Sequence, residues 1–257
     1  MKTKIEQRMM CWGLCAVNAL LLMSCNQQDA LKTSKPSYGN LIQVASDGST
    51  TVLTNNLQAA FVATPSLSDS ELALLLKIKE DEKLARDVYS NLSTAWSQPI
   101  FANIETAEER HLQAILTLLR FYNQPDTLVA DMGVFSTPEL TQLYQTFVSN
   151  GKASLVGAYQ VGIQIEEMDI KDLMDGLASN PNTNIVTTFD NLLKASRNHL
   201  RAFYRQLSNL GIVYVPQYLS QEEYDSIVQS PMEQGNTYVL QNQYQYNYQY
   251  QYRHQGH

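Results

Sequence analysis

Cysteine is scarce in this chain. It occurs three times in 257 residues, as Cys11, Cys15 and Cys25, and nowhere after that. Everything downstream of Cys25 therefore lacks both a disulfide framework and a cysteine-rich zinc site. Histidine is nearly as rare, with only His111, His199, His254 and His257. Positive charge falls short of negative, 18 Lys and Arg against 25 Asp and Glu, for a formal charge of −7. That balance argues against nucleic acid as a partner. Signatures of hydrolases are missing too: there is no HExxH, no nucleophile elbow and no Ser/His/Asp spacing that suggests a triad.

The one sustained apolar run lies at the N-terminus, in "MKTKIEQRMMCWGLCAVNALLLMSC". Lys2, Lys4 and Arg8 precede apolar residues from Met9 to Met23, a pattern too short for a comfortable span but fitting an export signal. Its end, Leu22-Met23-Ser24-Cys25, resembles a bacterial lipobox, in which the cysteine is acylated and becomes the first mature residue. The expectation is a lipoprotein signal peptide over 1–24 and a lipid on Cys25. The exported chain would be anchored to the membrane of the cell envelope by that lipid. Losing the leader removes three positive charges (Lys2, Lys4, Arg8) and one negative (Glu6), so the formal charge falls from −7 to −9. Residues 25–66 read as a flexible tether and linker. The C-terminal "YVLQNQYQYNYQYQYRHQGH" alternates Tyr with Gln or Asn, so 230–257 reads as a low-complexity tail that holds His254 and His257.

Between these ends, 67–229 has the size of one domain and reads as all-α. "SDSE" at Ser68–Glu71 is a capping box that predicts a helix to about Thr94. "TAEE" at Thr106–Glu109 predicts another, to about Tyr122. Pro138 and Gly151 bracket a short helix, long helices follow over about 152–178 and 182–209, and "SQEE" at Ser220–Glu223 caps a last short one. "GIVYV" at 211–215 is the single strand-like stretch.

Each long helix has an apolar stripe at alternating three- and four-residue spacing, and each stripe is interrupted by ionisable or polar residues. The interruptions are Glu82, then Glu108 with His111, then Glu166, then Ser196 with His199. A carboxylate on a core-facing stripe costs several kcal/mol unless it is paired. Three glutamates meeting in a core would repel one another, and a cation between them removes the conflict. Glu108 and His111 are three apart on one helix face, so a single helix supplies an oxygen and a nitrogen ligand. A mixed carboxylate–imidazole set favours iron or manganese, with zinc as a third candidate. Tyr89, seven after Glu82, is placed to donate to a ligand carboxylate. Plainer explanations exist residue by residue. Glu108 can complement a helix dipole, "KEDEKLARD" around Glu82 can be a solvated face, and only one of Glu166 and Glu167 can point fully inward.

Five stretches carry a family resemblance: "EDEKLARDVY", "FANIETAEERH", "GVFSTPELTQLY", "SLVGAYQVGIQIEEMDIKDL" and "NLLKASRNHLRAF". Together, over about 69–209, they resemble the ferritin-like family catalogued as domain of unknown function 2202. The resemblance implies a ferritin-like four-helix bundle with a short extra helix in the crossover between helices two and three. The wider superfamily includes di-iron proteins that oxidise Fe(II) or activate O2 or peroxide, so Fe(II) oxidation or peroxide consumption is the activity it suggests. It also implies metal ligation by Glu82, Glu108, His111, Glu166 (or Glu167) and His199, with Tyr89 behind them. One departure stands out: Ser196 occupies the place where a di-iron pattern has a glutamate three before His199. Asp169 is the candidate to make up that carboxylate; otherwise the centre holds one metal, or none. A non-catalytic envelope scaffold, with a buried polar network and an adhesive tail, is the competing expectation.

Overall fold

Short capping motifs and paired apolar faces set the order of elements. In a computed structural model of the chain, which describes residues 41–234, the elements are β1 (Ile42–Val44), β2 (Thr50–Val52), α1 (Thr54–Ala60), α2 (Asp69–Trp96), α3 (Pro99–Phe121), α4 (Pro138–Ala153), α5 (Leu155–Ala178), α6 (Thr183–Asn209) and α7 (Gln221–Val228). The molecule is mainly helical. Among the described residues no helix is long and apolar enough to cross a membrane.

Both serine capping boxes form as the sequence predicts. Ser68 accepts from Glu71 N–H while Glu71 accepts from Ser68 N–H, and Ser220 and Glu223 repeat the exchange at α7. Asn182 caps α6 by accepting from the amides of Asn184 and Ile185. The start of α3 differs from expectation. It begins at Pro99, not at Thr106, because Ser97 in the left-handed region (φ 52°) ends α2 and proline then fits the first helical position. Thr106 Oγ1 donates to the Ala102 carbonyl within the helix. Glu108 is therefore well inside α3, and complementing a helix dipole cannot explain it.

Helices α2 and α3 pack as one pair and α5 and α6 as another; α2 then faces α5, and α3 faces α6. Leu75, Ile78 and Leu92 of α2 meet Ile104, Ile115 and Leu118 of α3, Ile163 and Ile170 of α5, and Phe189, Leu192 and Phe203 of α6 in one core. Each such side chain contributes about 1.5–3 kcal/mol by leaving water. At Gly162 a Cβ would lie 2.7 Å from the Phe203 ring, so α5 and α6 approach this closely only because a side chain is missing. The crossover from α3 to α5 runs through α4 over the outer face of α2. This covering buries the charged run that read as a solvated face: Lys83 pairs with Asp87 at 2.5 Å and donates to the Asp131 carbonyl, and Glu80 accepts from Ser136 N–H.

Three further expectations need correction. Within the stretch read as tether and linker, residues 42–60 form the antiparallel hairpin and α1, and Ile42, Val52 and Leu57 join the core. The stretch 211–215 is not a strand: it has no partner strand among the described residues, and Val213 is 88% exposed. The folded part also runs past 229, since Glu233 is buried between Arg197 and Arg201. The predicted leader, Cys25, His254 and His257 lie outside the described residues.

Candidate metal centre

Each long helix delivers its interrupting residue to one place. Glu82 from α2, Glu108 and His111 from α3, Glu166 from α5, and His199 from α6 are all at most 1% exposed. His111 Nδ1 stands 2.7 Å from Glu108 Oε2 and 3.3 Å from Glu82 Oε2. His199 Nδ1 stands 2.9 Å from Glu108 Oε1 and 3.4 Å from Glu166 Oε2. The two rings lie nearly parallel, 13° apart, with centroids separated by 5.4 Å. Glu108 is thus shared between two trios, one with Glu82 and His111, the other with Glu166 and His199. In each trio the donor atoms lie within 4.8 Å of one another.

These atoms are close without being hydrogen-bonded. Glu82 Oε2, both Glu108 oxygens, His111 Nδ1, Glu166 Oε2 and His199 Nδ1 are buried, and none has a hydrogen bond of acceptable geometry. Leaving so many polar atoms unmatched in a core costs about 1–3 kcal/mol each. Ligands about 2.0–2.2 Å from one cation sit roughly 3 Å apart when adjacent, and the distances here fall around that value. The donor set and its spacing fit a transition-metal ion held by carboxylate and imidazole.

The surroundings set the charge. Burial pushes Glu82 up to about 8, against the pull of His111. Burial would also raise Glu108, but His111 and His199 hold its carboxyl well below the usual range. Burial raises Glu166 as well. Burial disfavours an imidazolium at His111, yet the Glu108 and Glu82 carboxylates outweigh it and hold that ring well above the usual histidine range. At His199 burial is again overcome, here by Glu166 and Glu108, which push it up to about 9. Thr50 N–H opposes this second protonation, because it donates to His199 Nε2 at 3.0 Å and would meet an added proton there head-on. We take the neutral ring as the resting form.

Tyr89 O–H donates to Glu166 Oε1 at 2.6 Å and also contacts the Gly162 carbonyl at 3.2 Å. Glu167, the alternative to Glu166, points elsewhere and accepts from Tyr214 O–H at 2.6 Å and from the amides of Gln217 and Leu219. Asp169 is buried close enough for Glu82 and Glu166 to reinforce the burial that holds it well above the usual carboxyl range, but it belongs to neither trio. Ser196 Oγ donates to the Leu192 carbonyl of its own helix. Thr50 is the residue that reading the helices alone misses. Its carbonyl lies 3.1 Å from His111 Nε2, so one residue touches both histidines. The signal was present in "LIQVASDGSTTVL", where Asp47-Gly48 lies between two short β-forming runs.

Comparison with known proteins shows the family of the chain and its likeness to a relative of solved structure. The uncharacterized protein domain DUF2202 matches residues 71–231. Uncharacterized protein MJ0754 of Methanocaldococcus jannaschii is 45% identical over 170 residues, covering 66% of this chain and 92% of that protein. The crystal structure of hypothetical protein MJ0754 from Methanococcus jannaschii DSM 2661 resembles this one with a TM-score of 0.65 at 42% identity. That match covers 67% of this chain and 99% of the other.

Proposed function

For a chain that belongs to the DUF2202 family, we propose a metal-binding function carried by the Glu82–Glu108–His111–Glu166–His199 centre. The observation behind it is the set of six buried, unmatched donor atoms from four helices, spaced as ligands of a cation are spaced. In this reading α2, α3, α5 and α6 form a ferritin-like four-helix bundle, and iron is the leading metal, with manganese or zinc as alternatives. A redox-active ion held there would supply one-electron chemistry, directed at Fe(II) oxidation or peroxide consumption. The chain's own residues hold and orient: Glu108 is common to both trios, Tyr89 fixes Glu166, and the surrounding core excludes water. The lipobox-like "LLMSC" supports attachment to the cell envelope through a lipid on Cys25.

Elemental analysis of purified protein after exposure to Fe(II), Mn(II) and Zn(II) tests this. Bound metal near one or two equivalents, lost in Glu108→Ala and His111→Ala, is the expected result. A folded wild type that stays empty would remove the metal reading and leave the centre as a buried polar network in a scaffold. Incorporation of labelled fatty acid into the full chain, abolished by Cys25→Ser, tests the anchor.

A further inference from the structure

Thr50 lies outside the matched residues 71–231, yet its main chain orients both histidines. The register of the hairpin explains how. Leu53 N–H donates to the Leu41 carbonyl and Ala45 N–H to the Ser49 carbonyl, so those pairs hold the hydrogen-bonded positions of the ladder. Thr50 pairs with Val44 at the alternate kind of position, where both main-chain groups point away from the partner strand. β2 packs on α3 and α6, so these outward groups meet His111 and His199. Asn198 Nδ2 donates to Thr50 Oγ1 at 3.0 Å and fixes the residue from α6.

The two contacts impose opposite tautomers. The Thr50 carbonyl can only accept, so His111 Nε2 carries a hydrogen. Its Nδ1 then presents a lone pair to a cation, an arrangement in which a backbone carbonyl orients a ligating histidine. The Thr50 amide can only donate, so His199 Nε2 presents its lone pair and the ring's hydrogen sits on Nδ1. A neutral imidazole with hydrogen on Nδ1 has no lone pair there to ligate a metal. Turning the ring over would put a carbon against the buried amide and leave the amide without an acceptor.

We propose that the centre takes one divalent metal ion, on Glu82, Glu108 and His111, and that His199 is a positioning residue whose Nδ1–H faces Glu108 and Glu166. The proposal rests on the metal-binding reading above and narrows it from a symmetric pair of sites to one. It also accounts for Ser196: with no second ion, α6 needs no carboxylate three residues before His199. Glu166, held by Tyr89, lies with His199 beside the shared Glu108 carboxylate.

Two measurements on the full-length chain test it. In metal-free 15N-labelled protein, two-bond nitrogen–proton couplings should show His199 protonated at Nδ1 with an unprotonated Nε2. In a Co(II) titration the protein should take one equivalent. His199→Gln should still take one equivalent, bound about 10–100-fold more weakly, whereas His111→Ala should lose it. Two equivalents in wild type, or an Nε2–H tautomer at His199, would overturn the single-ion proposal while leaving the metal reading intact. A wild type that binds no Co(II) would overturn both, and none of these wild-type results depends on whether a variant folds.

Discussion

Arg197, Asn198 and Arg201 are nearly as buried as His199, which lies among them on α6, but they look out to the C-terminal strap rather than into the centre. There the polar atoms are matched. Arg197 grips Glu233 through two bonds of 2.7 and 2.6 Å, and Arg201 reaches Glu233, Asn198 and the Ile227 carbonyl. Glu233 N–H closes the network on Asn198 Oδ1. On the other side of the helix, donor atoms at similar separations have no such partners. Adjacent residues on α5 repeat the contrast: Glu167 is fully satisfied by Tyr214 and backbone amides, whereas Glu166 keeps an unmatched oxygen. This fold can satisfy a buried charge in the ordinary way, and the concentration of unmatched atoms in the two trios is what supports the proposed metal site.

That contrast can be broken by mutation. Glu233→Ala should have the largest effect, because it removes the buried carboxylate that the Arg197 and Arg201 guanidinium groups share. We expect a loss of about 3–5 kcal/mol in urea denaturation, with metal uptake by the folded fraction unchanged. Tyr89→Phe should cost about 1–3 kcal/mol by removing the donor to Glu166, again keeping the metal. Glu82→Gln should do the reverse. The metal-free protein should stay within about 1 kcal/mol of wild type or gain stability, since it loses an unmatched carboxyl rather than a paired one, while metal affinity collapses in a titration. A Glu82→Gln variant as unstable as Glu233→Ala would show that the two clusters are alike and the contrast mistaken.

The gentlest probe is pH. Glu82 has a folded value of about 8 against an ordinary 4.5. The folded state therefore keeps a proton that the unfolded chain has already lost. Its contribution to the stability of the metal-free protein is present below about 4.5 and disappears as pH rises through 8. Glu108 has the opposite sign, so its contribution fades as pH falls below its ordinary 4.5. Metal must displace the Glu82 proton, so affinity should rise across the interval in which metal-free stability falls. Paired metal titrations and denaturation curves between pH 5 and 8.5 check the signs, and Glu82→Gln should flatten part of both slopes.

Much of the centre was legible because helices write their faces into sequence at fixed spacing. Glu82, Glu108, His111, Glu166 and His199 each interrupt a stripe, and the structure brings them together. The start of α3 was misread because a side-chain capping pattern at Thr106 competes poorly with a proline seven residues earlier and a left-handed residue before it. The hairpin was missed for a different reason. Its strands are only three residues long, and its contact with the histidines is made by main-chain atoms, which carry no residue-specific signal. Glu233 was hidden by position, at the edge of a compositionally biased tail. The buried charges of "KEDEKLARD" were hidden because what covers them, the loop before α4, is distant in sequence.

The hairpin bears on timing as well as geometry. Where Thr50 lies against both imidazoles, the centre is roofed by peptide backbone that is itself anchored by Ile42 and Val52. If the centre holds the ion proposed above, exchange on that side waits for the roof to lift and tracks a local opening of the chain rather than diffusion. Such openings are slow compared with ligand exchange at an exposed site and quicken with mild denaturant. A Gly48→Pro hairpin, with its turn (φ +98°) no longer compatible with the chain, should load and lose its ion faster.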